Sequence, residues 1–202
     1  MLMREAGRIT GNALKAAGRA IEPGMSTKEL DLVIRRTIEG EGAKPSFLGL
    51  YGFKGSACIS INHQVIHGIP SKDVIIRSGD IVSIDVGACI HGFHGDSAYT
   101  FACGDITPEA QRLLDTTRES LYLGIKQAVK GNRTGDIGHA VQKYAEARGY
   151  SVVREYTGHG VGASVHEDPG VPNYGTPHRG IRLEEGMVIA IEPMINEGKP
   201  GV

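Results

Sequence analysis

The chain has 202 residues and a net charge of -1, enough for one domain of ordinary size and too balanced for a surface that binds DNA or another polyanion. No apolar run approaches the roughly 18 residues of a membrane span, and the opening MLMREAGRIT, mixing Arg and Glu without an apolar core, is not a secretory signal. Three cysteines (Cys58, Cys89, Cys103) without CxxC spacing argue against a disulfide frame or zinc finger and fit a cytoplasmic location.

Residues 3–20, rich in Ala, Leu and Arg, predict a helix that ends at Pro23-Gly24. Ser26 and Glu29 form a capping box for a second helix, with Leu30, Val33, Ile34 and Ile38 at helical spacing and Gly40 and Gly42 as its stop. Residues 44–56 read as a loop with exposed aromatics at Phe47, Tyr51 and Phe53, followed by strands at 57–61 and 81–88. Thr107-Pro108 opens a third helix and Thr134 a fourth, which ends at Gly149. Strands are expected near 151–156 and 187–192.

This order repeats at a constant offset of 107 residues. Gly24 falls on Gly131, Thr27 on Thr134, Leu30 on Ile137, Ile34 on Val141, Gly42 on Gly149 and Gly79 on Gly186. GDIVSIDV at 79–86 overlays GMVIAIEP at 186–193, which sets Asp85 on Glu192. The expected organisation is one domain, 1–202, of two pseudo-repeats at about 1–106 and 107–202. The offset carries Asp96 to about position 203, past Val202.

Residues 81–102 read as a hairpin whose Val82, Ile84, Val86 and Ala88 share the core face, with Ser83 and Asp85 on the other. A turn centred on Ile90-His91 would set Asp85 directly across from Asp96. Two ionised carboxylates so placed repel, and a divalent cation relieves the conflict. An Asp in each strand of a hairpin is by itself more often solvated surface, and the acidic mate of Asp85 in the repeat is what favours a metal.

Four histidines stand in distinctive settings: His67 in VIHGIP, His94 on the face of Asp96, His159 in TGHGVG, where glycines allow close approach of a ligand, and His166 in VHEDPG. One imidazole with acidic ligands forms a mixed N/O set suited to Mn(II), Fe(II), Co(II) or Zn(II). His63, His91, His139 and His178 read as surface, and Glu167 and Asp168 as solvated loop.

HGIP, IVSIDVGA, HGDSA, GHGVG, HEDP and IEPM stand in the order and approximate spacing of type I methionine aminopeptidases, and the resemblance covers essentially the whole chain. It implies an α+β architecture of the pita-bread (creatinase/aminopeptidase) type: two pseudo-symmetric αβ halves around a curved antiparallel sheet. It implies two divalent metal ions (Co, Mn, Fe or Zn). By resemblance Asp85 is a ligand of one metal, Asp96 a bridging carboxylate, and His159 and Glu192 ligands of the second, with Glu192 also the proton acceptor. His67 and His166 resemble histidines that contact the scissile peptide, and Phe47, Leu50, Phe53, Cys58 and Val165 resemble the wall of a methionine pocket, although without the resemblance these five read as ordinary core. A fifth ligand, a second bridging Glu on a later strand, has no counterpart here, so the sequence is expected to be truncated at its C-terminus, with its last strands missing.

The activity implied is hydrolysis of the first peptide bond after an N-terminal methionine, a metallo-exopeptidase reaction on peptides and nascent proteins. A monomer is expected; association with the ribosome is an open partner. Two alternatives stand beside this: a non-catalytic or inactive binding protein of the same fold, and a proline-specific peptidase, whose family carries an extra N-terminal domain not found here.

Overall fold

The computed structural model describes residues 2–202. The chain divides into two compact units, one running through Thr107 and including Gly162–Val165, the other formed by Pro108–Val161 and His166–Val202.

In the first unit, α1 (Leu2–Ala20) and α2 (Thr27–Gly40) cover a sheet of β1 (Lys44–Pro45), β2 (Ala57–Ile61), β3 (Ile81–Ile90) and β4 (Phe93–Ala102). Ser26 caps α2 as expected: its Oγ accepts from Glu29 N at 3.2 Å while the Glu29 carboxylate accepts from Ser26 N at 2.8 Å. Such a cap is worth ~1 kcal/mol. β3 lies at the centre, with β4 along one edge and β2 and β1 along the other. Its Val82, Ile84, Val86 and Ala88 are fully buried in one cluster with Ala6, Ile9, Ala13 and Ala17 of α1 and Leu30, Ile34 and Ile38 of α2. The small residues of α1 let it lie close on the sheet, and a Cβ on Gly95 of β4 would come within 2.6 Å of the Ala6 backbone.

The β3–β4 turn differs from expectation. It is His91-Gly92, both with positive φ (52° and 81°), as a two-residue primed hairpin turn demands. Centring there moves the register, so that Asp85 pairs with Ala98 and Asp96 with Gly87. The loop at 44–56 also differs: it contains β1 and a 3-10 turn at Leu50–Gly52, and while Tyr51 is exposed, Phe47 is buried.

In the second unit, α3 (Pro108–Gln127) packs on α4 (Thr134–Glu146), beside four short strands: β5 (Ser151–Val152), β6 (Gly158–Gly160), β7 (Glu167–Val171) and β8 (Ile195–Asn196). β5 pairs with β8 and β6 with β7. The strand expected over 151–156 is confined to its first two residues. The segment 187–192 is extended but forms a single bridge, Gly160 to Ile189. Its neighbour β6 is only three residues long, and Pro193 has no N–H with which to continue a ladder. Among the described residues no helix is long and apolar enough to cross a membrane.

The 107-residue offset is visible in hydrogen bonds as well as in letters. Gly24 N donates to Ile76 O, and Gly131 N to Leu183 O. Thr27 N donates to Val74 O, and Thr134 N to Ile181 O. Ile76 N donates to Met25 O, and Leu183 N to Asn132 O. Gly24, Gly42 and Gly79 have φ of 95°, 78° and 92°; their mates Gly131, Gly149 and Gly186 have 93°, 83° and 91°. The N-cap N–H is also held alike, Ser26 N by Glu29 and Arg133 N by Asp136.

One helix position departs from this likeness. Asp31 of α2 is buried and accepts from Ser56 N and Ala57 N at 2.6 and 3.2 Å, fixing the start of β2. Its mate in α4 is Gly138, on which a Cβ would meet Tyr174 O at 2.3 Å and Pro172 O at 2.5 Å. Gly138 therefore seats the turn after β7.

Two helix glycines should respond oppositely to alanine. A Cβ on Gly11 of α1 has nothing within 4 Å, so Gly11→Ala should raise stability by ~0.5–1 kcal/mol through the lost backbone freedom of glycine. Gly138→Ala should lower it by ~1–3 kcal/mol, because the added methyl meets backbone that cannot rotate away. Urea denaturation of both variants reads the two signs.

Candidate metal centre and peptide-binding residues

On β3 and β4, Asp85 and Asp96 share the face opposite the core, because period-two alternation buries Val82, Ile84, Val86 and Ala88 on the other. In the observed register the two carboxylates are diagonal rather than opposed. Diagonal side chains sit ~7–8 Å apart or somewhat less, and the residues across from them, Ala98 and Gly87, are small. A Cβ on Gly87 would lie 2.7 Å from Ser46 Cβ and 2.8 Å from the Phe47 ring, so the glycine makes room for those two side chains. Cys58 of β2 lies on the other side of Asp85. His94, two residues before Asp96, has its Nδ1 2.8 Å from Ser46 Oγ.

The five positions expected to wall a pocket do pack together. Phe47, Cys58 and Val165 are buried in one cluster, flanked by half-buried Leu50 and Phe53. Burial pushes the Cys58 thiol up to about 12, with the negative charges of Asp85, Asp96 and Asp31 adding to the effect.

His67 is exposed, with a left-handed φ of 56°. Its neighbour Gly68 holds the loop against β2: Gly68 N donates to Ser60 Oγ, Ile59 N donates to Gly68 O, and a Cβ on Gly68 would lie 2.1 Å from Ile59 O. A β-unbranched but bulky residue is kept in that conformation only when its surroundings dictate it.

In the second unit β6 carries His159, which is buried. The glycines beside it serve the backbone rather than a ligand: a Cβ on Gly158 would lie 2.3 Å from Ala190 O, and one on Gly160 2.3 Å from Asp168 O. They let β6 fit between the 188–190 segment and β7. His166 is exposed, its ring edge-on to that of His159 with centroids 4.5 Å apart.

His159 Nδ1 lies 2.7 Å from Gly160 O. A carbonyl oxygen only accepts, so Nδ1 bears a proton, and in the neutral form of the ring the lone pair is at Nε2. Nε2 is 3.1 Å from Glu192 Oε1, which is buried and makes no hydrogen bond. A lone pair facing a carboxylate oxygen is relieved by a proton on Nε2 or by a cation bound to both. Metal–nitrogen and metal–oxygen bonds of ~2.0–2.2 Å give neighbouring ligands a separation close to the one seen. The donor set fits a divalent ion. Among the described residues, no group of three or more His, Cys, Asp or Glu side chains is placed to hold a metal ion.

Of the remaining predicted surface groups, His63, His91 and His178 are exposed, but His139 is half-buried on α4. Glu167 and Asp168 are exposed as expected, though on β7 rather than in a loop. Two residues escaped the sequence reading. Asp31 occupies the buried stripe of α2, where a carboxylate among apolar neighbours is itself a signal. Asn173 is fully buried and donates through Nδ2 to Glu192 O at 2.6 Å.

The profile of metallopeptidase family M24 matches residues 1–202. The chain belongs to metallopeptidase family M24. Methionine aminopeptidase 1 of Bacillus subtilis (strain 168) is 52% identical over 197 residues, covering 98% of this chain and 79% of that protein. The crystal structure of a methionine aminopeptidase from Thermotoga maritima superposes with a TM-score of 0.95 at 40% identity, covering 98% of this chain and 80% of the other. That of the Rickettsia prowazekii methionine aminopeptidase gives 0.94 at 41% identity, covering 97% and 79%. The pita-bread fold expected from the motifs is therefore present, and the family is one of divalent-metal peptidases.

A thiol held near 12 is almost entirely protonated at pH 8, and thiolate is the form that alkylates. Iodoacetamide at pH 8, followed by mass spectrometry of the peptides, should label half-buried Cys89 well before Cys58. Labelling of Cys58 should accelerate only as the pH climbs toward 12; equal rates at pH 8 would contradict a buried, protonated thiol.

Proposed function

We propose that this M24 chain removes the N-terminal methionine from peptides and nascent proteins by hydrolysing the first peptide bond, using two divalent ions drawn from Co, Mn, Fe or Zn, in the cytoplasm. The observation that carries the reading is the buried Glu192 carboxylate oxygen facing His159 Nε2 at 3.1 Å without a hydrogen bond. The substrate class follows from the methionine aminopeptidases to which the chain is half identical. That likeness disfavours the proline-specific and non-catalytic alternatives.

In this proposal Asp85, Asp96, His159 and Glu192 hold the ions, which supply a Lewis acid and a water of lowered pKa. The Nδ1–H bond of His159 to Gly160 O favours the tautomer whose Nε2 lone pair would ligate a metal. Glu192 accepts a proton at its carboxylate and returns it to the leaving amine. His166 donates to the carbonyl oxygen as charge develops there, and His67 holds the peptide beyond the scissile bond. The Phe47, Leu50, Phe53, Cys58 and Val165 cluster takes the thioether side chain. Each methylene in such a pocket is worth ~1–3 kcal/mol, and a Cys58 that stays uncharged keeps it apolar.

Among peptides beginning Met-Gly, Leu-Gly and Ala-Pro, assayed with Mn(II) or Co(II), Met-Gly should be cleaved fastest, with release of free methionine. Asp96→Asn, His159→Ala and Glu192→Gln should each lower kcat/KM by at least ~100-fold, the scale of losing a ligand or general base. Chelation should abolish activity and added metal restore it. Preference for a proline-containing peptide would overturn the substrate assignment, and full activity in Glu192→Gln would overturn the ligand set.

A further inference from the structure

We infer that Asn173 is a positioning residue for Glu192, holding through its side-chain amide the one stretch of main chain that carries this carboxylate without a ladder of its own. The inference rests on the reading of Glu192 as a metal ligand.

The chain from 187 to 196 changes partners as it runs. Up to Ala190 it is bonded to β6: Val161 N donates to Val188 O, His159 N to Ala190 O, and Ala190 N to His159 O. From Met194 it is bonded to β5, first through Val153 N to Met194 O and then through the pairing of Val152 with Ile195. Ile191, Glu192 and Pro193 fill the gap, and Pro193 has no N–H to offer. Glu192 O is satisfied there by Asn173 Nδ2 at 2.6 Å.

Asn173 is itself well founded. It stands two residues after β7, and the carbonyls on either side of it, Pro172 O and Tyr174 O, abut Gly138 of α4 so closely that a Cβ would not fit. Its side chain is fully buried, and its Oδ1 has no hydrogen-bond partner. The amide cannot be turned over, because Oδ1 would then meet Glu192 O, acceptor against acceptor. A buried acceptor left unpaired is costly, and an apolar residue of equal size would avoid that cost. What an apolar residue cannot do is donate to Glu192 O. A ligand whose backbone is fixed keeps its carboxylate in place against His159 when the ion is absent, and removing such an outer support typically weakens metal binding by ~10–100-fold.

The test is titration of the metal-free protein with Co(II), followed by calorimetry and visible absorption, with thermal unfolding of the metal-free forms as a second readout. Glu192→Ala should weaken Co(II) binding; if it does not, the ligand reading fails irrespective of Asn173. Given that result, Asn173→Ala should weaken Co(II) binding ~10–100-fold and alter the absorption spectrum. Ile34→Val, a core change in the first unit, should lower the unfolding midpoint while leaving both unchanged. In the Glu192→Ala background Asn173→Ala should have no further effect on affinity, because it acts through the missing carboxylate. Should Asn173→Ala not fold, Asn173→Ser, polar but too short to reach the carbonyl, carries the same expectation. Unchanged affinity and spectrum in a folded Asn173 variant, or equal weakening with and without Glu192, would overturn the inference.

Discussion

Burial of Val82, Ile84, Val86 and Ala88 against α1 and α2 is the constraint from which the first unit follows. A strand has only two faces, so committing the even positions to the core sends Ser83, Asp85 and Gly87 to the other side. The tight His91-Gly92 turn then decides which residues of β4 accompany them. Nothing about the carboxylates themselves is needed to place Asp85 and Asp96 on one face. They are carried there by apolar residues that pull the other way. Asp31 completes the arrangement from behind, by pinning the first N–H groups of β2 so that Cys58 falls beside Asp85.

The second unit reaches a comparable result with different means. Its helices and turns repeat those of the first at the level of single hydrogen bonds, yet the segment matching β3 has no long ladder to hold it. Close approach of backbones, permitted by Gly138, Gly158 and Gly160, replaces much of what strand pairing does in the first unit. Glu192 is held from its carbonyl by a side chain, whereas Asp85 is held by strand neighbours on both edges.

Much of this was legible in the sequence, and for physical reasons. Composition gave α1, helical spacing and the Ser26–Glu29 pair gave α2, the openings at Thr107-Pro108 and Thr134 gave α3 and α4, and the constant offset carried Asp85 onto Glu192. The register was missed by one turn position, although Gly92 was a usable signal: a primed two-residue turn favours glycine at its second place, and centring there predicts the observed pairing. The strand over 187–192 was over-read because its apolar run and its match to 79–86 are blind to whether a partner is long enough. Asn173 left no trace at all. Its bond to Glu192 spans 19 residues and depends on the seating of a turn on α4, which no local pattern encodes.

Cys58 has a consequence beyond its place among apolar neighbours. Oxidation of cysteine by peroxide, and exchange with disulfides, both proceed from the thiolate and require access. A thiol buried beside three aspartates, keeping its proton to about pH 12, offers neither. The sulfur can therefore sit next to two carboxylates in an oxidising insult without becoming a sulfenic or sulfonic acid. Burial, the larger cause of the raised pKa, thus shields the sulfur from chemical damage as well as from water.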